Sequence, residues 1–553
     1  MLAESFDRRV SSRGMQPCLH ARVGEAWAAY TVADVDRAIG ALSHWLVGQH
    51  LVLGDRVLIQ MENRPEWAVV AFACARLGLA LVPVYTTHQR ADIEYLIDAT
   101  EPKACVASVH MGSVIQEVTG ARMIPCLTVE AQSETLFPSL DAPTDVDYPE
   151  VSDSAIYALI ATSGTHGQPK IVTLTHQNIA ANVASVLDVL READLNRPQR
   201  FLSFLPLAHA YEFMAGLHLP FATESEIFYC DSLDRLASEM QTVRPTLMTA
   251  VPRLYELLYT RITQQVAKAS GVQRWLFQET LRLGSQASAE RSLKDRMLNA
   301  LCERLVRTKV RQRFGGELLY FVSGGAALNP EIAKFFTSLG VGILQGYGQT
   351  EASPVISVNR PGAVRLDTVG PPLSGVEVAL SDAGELKVRG ELVMQGYWKN
   401  PEATAQTILD GWLHTGDLAE IDADGHIRIV GRLKDLIINS GGENIAPAPL
   451  EQALGFEPEI EQVVVTGDGR PWLAALIYPS ESVRESSESV DDAIRQAVKR
   501  VNASLSVHQH IRKWVVIDEP ATLENGLLTP TQKVKRHALI ARHQAALDAL
   551  YHS

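Results

Sequence analysis

The amino-acid sequence predicts an α/β protein: a large N-terminal part built of αβ units, then a β-rich stretch, and a small α+β unit at the C-terminus. Three observations carry this reading. From Thr31 to Ser108, runs with apolar residues at helical spacing alternate with short β-branched runs, the pattern of a sheet covered by helices. From Gly384 to Gln395, GELKVRGELVMQ alternates as antiparallel β-structure does. From Ile445 onward the pattern resets to a compact mixture of helix and strand. A length of 553 residues exceeds one hydrophobic core and suggests roughly three or four domain-sized units.

Taken in order, Thr31 caps a helix reaching Gln49, with Val32, Val35, Ile39, Leu42, Trp45 and Leu46 on its apolar face. Strand Arg56–Gln60, helix Pro65–Leu77, strand Leu79–Val84, helix Ala91–Ala99 and strand Ala104–Ser108 follow, which argues for a parallel sheet. The most apolar stretch, Ala68–Val84, is broken by Arg76, Gly78 and Pro83, so it reads as a helix and a strand and not as a membrane span. Strand Ile156–Ala161 enters the run TSGTHGQPK, Ile171–Leu174 leaves it, and a helix from Thr175 or His176 runs to about Leu190. Further on, Asp424-Gly425 marks a hairpin. The last unit holds helix Pro449–Leu454, strands Gln462–Thr466 and Leu473–Tyr478, helix Val490–Leu505 and strand Trp514–Ile517.

Composition excludes several classes. Lys and Arg number 50 against 64 Asp and Glu, and the net charge of −14 argues against nucleic acid as the main partner. Six cysteines without a C-x-x-C pair suggest neither a disulfide framework nor a zinc site and fit a reducing cytosol. The N-terminus has no apolar core of a signal peptide, so the expected location is cytoplasmic. One island differs: residues 291–314 hold eight Lys or Arg, with Leu293, Met297, Leu301 and Leu305 on one helix face. Such a helix is either a solvated surface or a peripheral contact with the inner face of an anionic membrane.

The chemistry starts at Thr162–Lys170. Glycines that admit positive φ, three hydroxyl residues and a lysine turn donors toward one point, as a phosphate requires. The Walker arrangement is absent, because Pro169 precedes the lysine and a strand follows it. Taken alone, the run also fits a polar surface turn, the less favoured of the two readings. Leu318–Val322 and Val341–Leu344 each run into a glycine turn, where backbone can lie against a flat ligand and Tyr347 offers a face for a base. Asp417, ending WLHTGD, can accept from two ribose hydroxyls, with Arg432 nearby to aid it. His209 and Glu212 form a polar pair in an apolar stretch, FLSFLPLAHAYE, and are packing residues or pocket liners.

In chain order, TSGTHGQPK, SGGAAL, GYGQTE, WLHTGD, GRLKD, GGENIAPAPLE and TPTQKVKR resemble the acyl-adenylate-forming (AMP-binding) superfamily, from about Tyr30 to Arg536. LPLAHAYE and the stretch Pro245–Ile262 look most like its long-chain fatty-acid CoA ligases. The resemblance implies a large AMP-binding domain, residues 1–432, of stacked αβ subdomains plus a β-rich one, and a small mobile domain, residues 433–553, hinged near Lys434. It implies an ATP-dependent, AMP-forming acid–thiol ligase that makes a fatty acyl-AMP with release of pyrophosphate. Coenzyme A then displaces AMP, and Mg²⁺ assists.

The same resemblance assigns residues. Thr162, Ser163, Gly164, Thr165, Gly167 and Lys170 would hold the β- and γ-phosphates. Gly324, Gly325 and Ala326 with Gly346 and Tyr347 would surround adenine, and Gln345, Gly348 and Ile429 would complete the nucleotide site. Thr350 would meet the α-phosphate, and Glu351 with Thr162 would ligate the metal. Asp417 and Arg432 would take the ribose, while Lys533 would bridge carboxylate and α-phosphate. Gly441 and Gly442 would line the coenzyme A tunnel, and His209 would gate or orient. His166 and Ile171 depart from the family pattern, which has Thr or Ser and Gly there. The alternatives are transfer to an acyl carrier protein, an aryl or medium-chain acid as substrate, or a silent acyl or nucleotide binder.

Overall fold

The computed structural model describes residues 2–552 apart from 131–132, 134, 138–139, 141–142, 163–168, 194, 196, 231, 287–290, 486–488, 523 and 530–532. Two large sheets build the N-terminal part. A seven-stranded sheet runs in the order Gly396–Tyr397, Lys170–Thr175, Ile156–Thr162, Ala80–Pro83, Arg56–Gln60, Ala104–Ser108, Cys126–Val129. An eight-stranded sheet runs Val355–Val358, Gly342–Gly348, Tyr320–Ser323, Leu247–Ala250, Arg200–Ser203, Glu226–Tyr229, Pro17–Val23, Ala26–Thr31.

The expected parallel pairing holds for Arg56–Gln60 with Ala80–Pro83 and with Ala104–Ser108, and antiparallel strands join the same sheet at its other end. Strands Ile156–Thr162 and Lys170–Thr175 form an antiparallel hairpin with Thr162 opposite Lys170, so the glycine-rich run joins a hairpin. Helix Pro65–Leu77 explains why its sequence is apolar all round: it contacts Arg56–Gln60 and Ala80–Pro83 on one side and Pro17–Val23 on the other, so both faces are buried. Gly78 ends it at φ +63°, in the left-handed region that favours glycine. The helix after Thr31 begins with a reciprocal cap, Thr31 Oγ1 accepting from the Asp34 N–H while Asp34 accepts from the Thr31 N–H.

The pattern did not reveal helix Leu2–Arg13 or strands Pro17–Val23 and Ala26–Thr31. The helix is fastened by Phe6, stacked on Phe72 at 4.9 Å, and by Asp7, which pairs with Arg76. The β-rich region is a five-stranded sheet carrying Trp412–Ile421 against Ile427–Arg432, with Asp417 opposite Arg432. The small domain packs helices on a three-stranded sheet of Ile460–Thr466, Leu473–Pro479 and Ile511–Val516. Phe456 of this domain rests on Tyr259 of the large one, with ring centroids 5.6 Å apart. Among the described residues no helix is long and apolar enough to cross a membrane.

Candidate active site

The carboxyl end of strand Gly342–Gly348 meets the β-rich sheet at Trp412–Ile421, and the candidate site is built around that junction. Strand Gly342–Gly348 delivers Tyr347, whose hydroxyl donates to Asp417 Oδ2 at 2.6 Å. Arg432 Nε donates to Asp417 Oδ1 at 2.8 Å. Asp417 itself is only 4% exposed, so its two partners compensate the burial of its charge. Burial and then the Asp417 carboxylate push the Tyr347 phenol well above its ordinary range, which keeps it a donor. Each carboxylate oxygen retains a lone pair for a diol.

Lys533 faces this pair from the small domain. Its loop is closed by the Thr529 N–H donating to the Lys533 carbonyl at 2.8 Å and the Lys533 N–H donating to the Thr529 hydroxyl at 3.0 Å. Protein crowds the ammonium, and burial and then Arg432 lower its pKa, while Asp417 opposes them. Lys533 as a residue nonetheless remains exposed to solvent.

His209 lies across the cleft. Its Nδ1 accepts the Tyr211 backbone N–H at 3.2 Å, which assigns the ring proton to Nε2. Burial and then Lys533 push its pKa down to about 4, so it is neutral at pH 7 and suited to orienting. Tyr211 donates to the Val322 carbonyl at 2.8 Å and lays its ring on Gly324, where a Cβ would sit 3.0 Å from the ring. Gly324 thus makes room for Tyr211, while Gly325 and Ala326 are exposed to the cleft.

At the start of strand Lys170–Thr175, Lys170 Nζ stands 4.5 Å from the centroid of the Tyr397 ring, and the Tyr397 hydroxyl donates to Glu351 Oε1 at 2.8 Å. Tyr211 and Tyr397 were not foreseen. Nothing in their local sequence separates them from ordinary core aromatics. Thr162 Oγ1 donates to the Lys170 carbonyl at 3.2 Å. Ser163, Gly164, Thr165 and Gly167, with His166, lie outside the described residues. Thr350 and Glu351 open a short helical turn after Gln349, half-buried at the cleft.

Not every expected residue presents its side chain. Gln345 donates from its amide to the Leu366 carbonyl at 2.5 Å and is buried, so only its backbone borders the cleft. Gly348 could carry no side chain, since a Cβ would meet the Pro354 carbonyl at 1.8 Å. Ile429 pairs with Ala419 on the strand that ends in Arg432. Lys434 and Gly441 and Gly442 are exposed, the glycines in a turn tied to Asn439 Oδ1.

Glu212 sits beneath His209, fully buried, accepting from Ser203 Oγ and Thr249 Oγ1 at 2.6 Å each. Burial raises its pKa from 4.5 to about 7, against the two hydroxyl donors. A raised folded pKa adds stability that is complete below the unfolded value and lost as pH rises through the folded one. Over that window the loss is about 3 kcal/mol for a shift of this size. Glu212→Gln, which cannot ionise, should therefore gain about 3 kcal/mol on wild type between pH 4.5 and pH 8 in urea unfolding. Parallel stability curves would rule this out.

A cleft walled by a large α/β domain and faced by a lysine of a smaller one defines a two-domain nucleotide-using enzyme. Comparison with known proteins agrees. A family profile described as "AMP-binding enzyme" matches residues 6–398, and one described as "AMP-binding enzyme C-terminal domain" matches residues 434–553. The long-chain-fatty-acid–CoA ligase FadD15 of Mycobacterium tuberculosis is 31% identical over 95% of this chain and 92% of its own. The peroxisomal long chain acyl-CoA synthetase 7 of Arabidopsis thaliana is 30% identical over 96% and 82%. Among solved structures, ATP-bound MatB from Rhodopseudomonas palustris superposes with a TM-score of 0.76 at 21% identity, over 98% of this chain and 99% of that one. The chain belongs to the AMP-binding enzyme family. It is an acyl-adenylate-forming enzyme that uses ATP, of the AMP-forming acid–thiol ligase class.

Proposed function

We propose that the protein is a long-chain fatty acyl-CoA synthetase, with coenzyme A as acceptor and the small domain turning about Lys434 between half-reactions. One observation carries the reading: Lys533 of the small domain interacts electrostatically with Arg432, Asp417 and His209, which supports its use as the cation between a carboxylate and an α-phosphate. The relatives named long-chain ligases support the choice of acid.

A carboxylate resists attack by a thiol because oxide is a poor leaving group; adenylation replaces it with AMP. Both reactants are anions, so the site has to neutralise charge and align the attack. In this reading Asp417 and Arg432 hold the ribose, Lys170 and the glycine-rich run hold the terminal phosphates, and Lys533 draws the acid onto the α-phosphate. His209 orients the acyl carboxyl through its Nε2–H. Residues 201–229 supply walls of the acyl pocket. Glu351 has one oxygen on Tyr397, and among the described residues no hydrogen bond reaches the other; a single carboxylate suits Mg²⁺, which binds largely through phosphates and water. Among the described residues no group of three or more His, Cys, Asp or Glu could cage a metal. Bound there, the ion would screen phosphate charge.

The test is a panel of acids of increasing chain length, assayed for coenzyme A-dependent AMP release. Highest turnover with long-chain acids supports the proposal. Acid-dependent ATP–pyrophosphate exchange without coenzyme A-dependent turnover points to a carrier protein, and absence of exchange points to a binder.

The proposal extends to peripheral contact with an anionic membrane. Leu293, Met297, Leu301 and Leu305 are 79%, 78%, 46% and 40% exposed, interleaved with exposed Lys294, Arg296 and Arg304. The acids of this stretch are paired: Asp295 with Arg282 at 2.8 Å, and Glu303 with Arg311. The outward face is left apolar and cationic in a chain of net charge −14. The double change Leu293→Glu and Met297→Glu should weaken co-sedimentation with phosphatidylglycerol-containing vesicles by roughly tenfold or more, with turnover of a short, soluble acid unchanged. Equal sedimentation of both proteins would refute it.

A further inference from the structure

Two thiols meet across neighbouring strands at the edge of the seven-stranded sheet farthest from Gly396–Tyr397 and Lys170–Thr175. Strand Ala104–Ser108 pairs in parallel with the edge strand Cys126–Val129, and in that register Cys105 is the Cα partner of Cys126. The Cys105 N–H donates to the Pro125 carbonyl at 2.9 Å and fixes the register at this point. Paired residues point to the same face, here the one under helix Gly112–Ala121, among Leu58, Ile115 and Val118. Neighbouring strands lie about 4.8 Å apart, inside the roughly 4.4–6.8 Å Cα separation that a disulfide spans. The two thiols thus lie side by side, close enough to influence each other's ionisation.

The two are unlike. Cys105 is fully buried, whereas Cys126 is half-buried on the edge strand, where a small oxidant can reach it. The neighbouring Cys105 thiol holds the Cys126 thiol below its ordinary range, burial opposing it and Thr119 assisting. The Cys126 thiol and burial push Cys105 well above its range. Cys126 is thus the better thiolate and Cys105 the resolving thiol. The other cysteines, Cys18, Cys74, Cys230 and Cys302, sit on separate parts of the chain.

We propose that Cys105 and Cys126 are a peroxide-sensitive dithiol that closes to a disulfide. The Cys126 thiolate attacks hydrogen peroxide, the O–O bond breaks, and Cys126 sulfenic acid and one water result once the thiol proton is counted. The Cys105 thiol attacks that sulfur, forming the S–S bond and expelling the second oxygen as water. Overall two thiols lose two electrons and two protons, and one peroxide is reduced to two waters.

The full-length enzyme is treated with hydrogen peroxide, denatured in N-ethylmaleimide and mapped by mass spectrometry. Two of the six thiols should disappear in a dithiothreitol-reversible link between the peptides holding Cys105 and Cys126. Cys105→Ser should stop at a sulfenic acid on Cys126, trapped by dimedone, and Cys126→Ser should lose neither thiol nor mass. A wild-type chain with dimedone on Cys126 and N-ethylmaleimide on Cys105, or a link from either to another cysteine, overturns the proposal.

Discussion

Lys533→Ala should lower fatty-acid-dependent ATP–pyrophosphate exchange by about a thousandfold. The ammonium is the charge that the small domain brings to the cleft, and it faces Asp417 and Arg432 in an environment crowded by protein. One unit-charge contact at about 4 Å and an effective dielectric near 20 is worth about 4 kcal/mol. Made mainly in the transition state, that is about three orders of magnitude in rate. ATP affinity should fall only a few-fold, because Asp417, Arg432 and Tyr347 remain in place. Thioester formation from supplied acyl-AMP should persist. Exchange at the wild-type rate would remove the charge-bridging role of Lys533.

Lys434→Pro should divide the two half-reactions. Lys434 lies in the short turn Leu433–Asp435, exposed, between the strand that ends at Arg432 and the first pair of small-domain strands, Ile437–Ile438 and Asn444–Ile445. Proline fixes φ near −65°, so a backbone that has to change its dihedrals there loses its second state. Adenylation, for which Lys533 already faces the cleft, should stay within about threefold of wild type. Coenzyme A-dependent release of AMP from supplied acyl-AMP should fall roughly a hundredfold, with domain rotation gating the step. An equal drop in both would place the pivot elsewhere.

Much of this arrangement was legible in the sequence, and the reason differs by element. Strand Arg56–Gln60 and helix Pro65–Leu77 have the predicted bounds because period and punctuation agree at both ends. Asp417 and Arg432 were read as partners, and adjacent antiparallel strands bring them together. The N-terminal helix escaped because its fixing contacts, Phe6 on Phe72 and Asp7 on Arg76, are long-range. The stretch 291–314, read as one helix, divides into Leu293–Cys302, a wider turn Glu303–Arg307 and Thr308–Arg313. Glu303 turning to Arg307 and Arg311 accompanies that change, and helical periodicity does not report it. Gln345 was placed with the nucleotide by its position, but hydrogen bonding to Leu366 decides where its amide goes.

Tyr397 arrives on a two-residue strand from a distant part of the chain and spans Lys170 and Glu351. The three positions therefore cannot drift independently. Loss of the phenol would be felt at both charged ends at once, and a second change at either end would cost less than its separate measurement suggests. Any redesign of this side of the site has to treat them as one heritable unit.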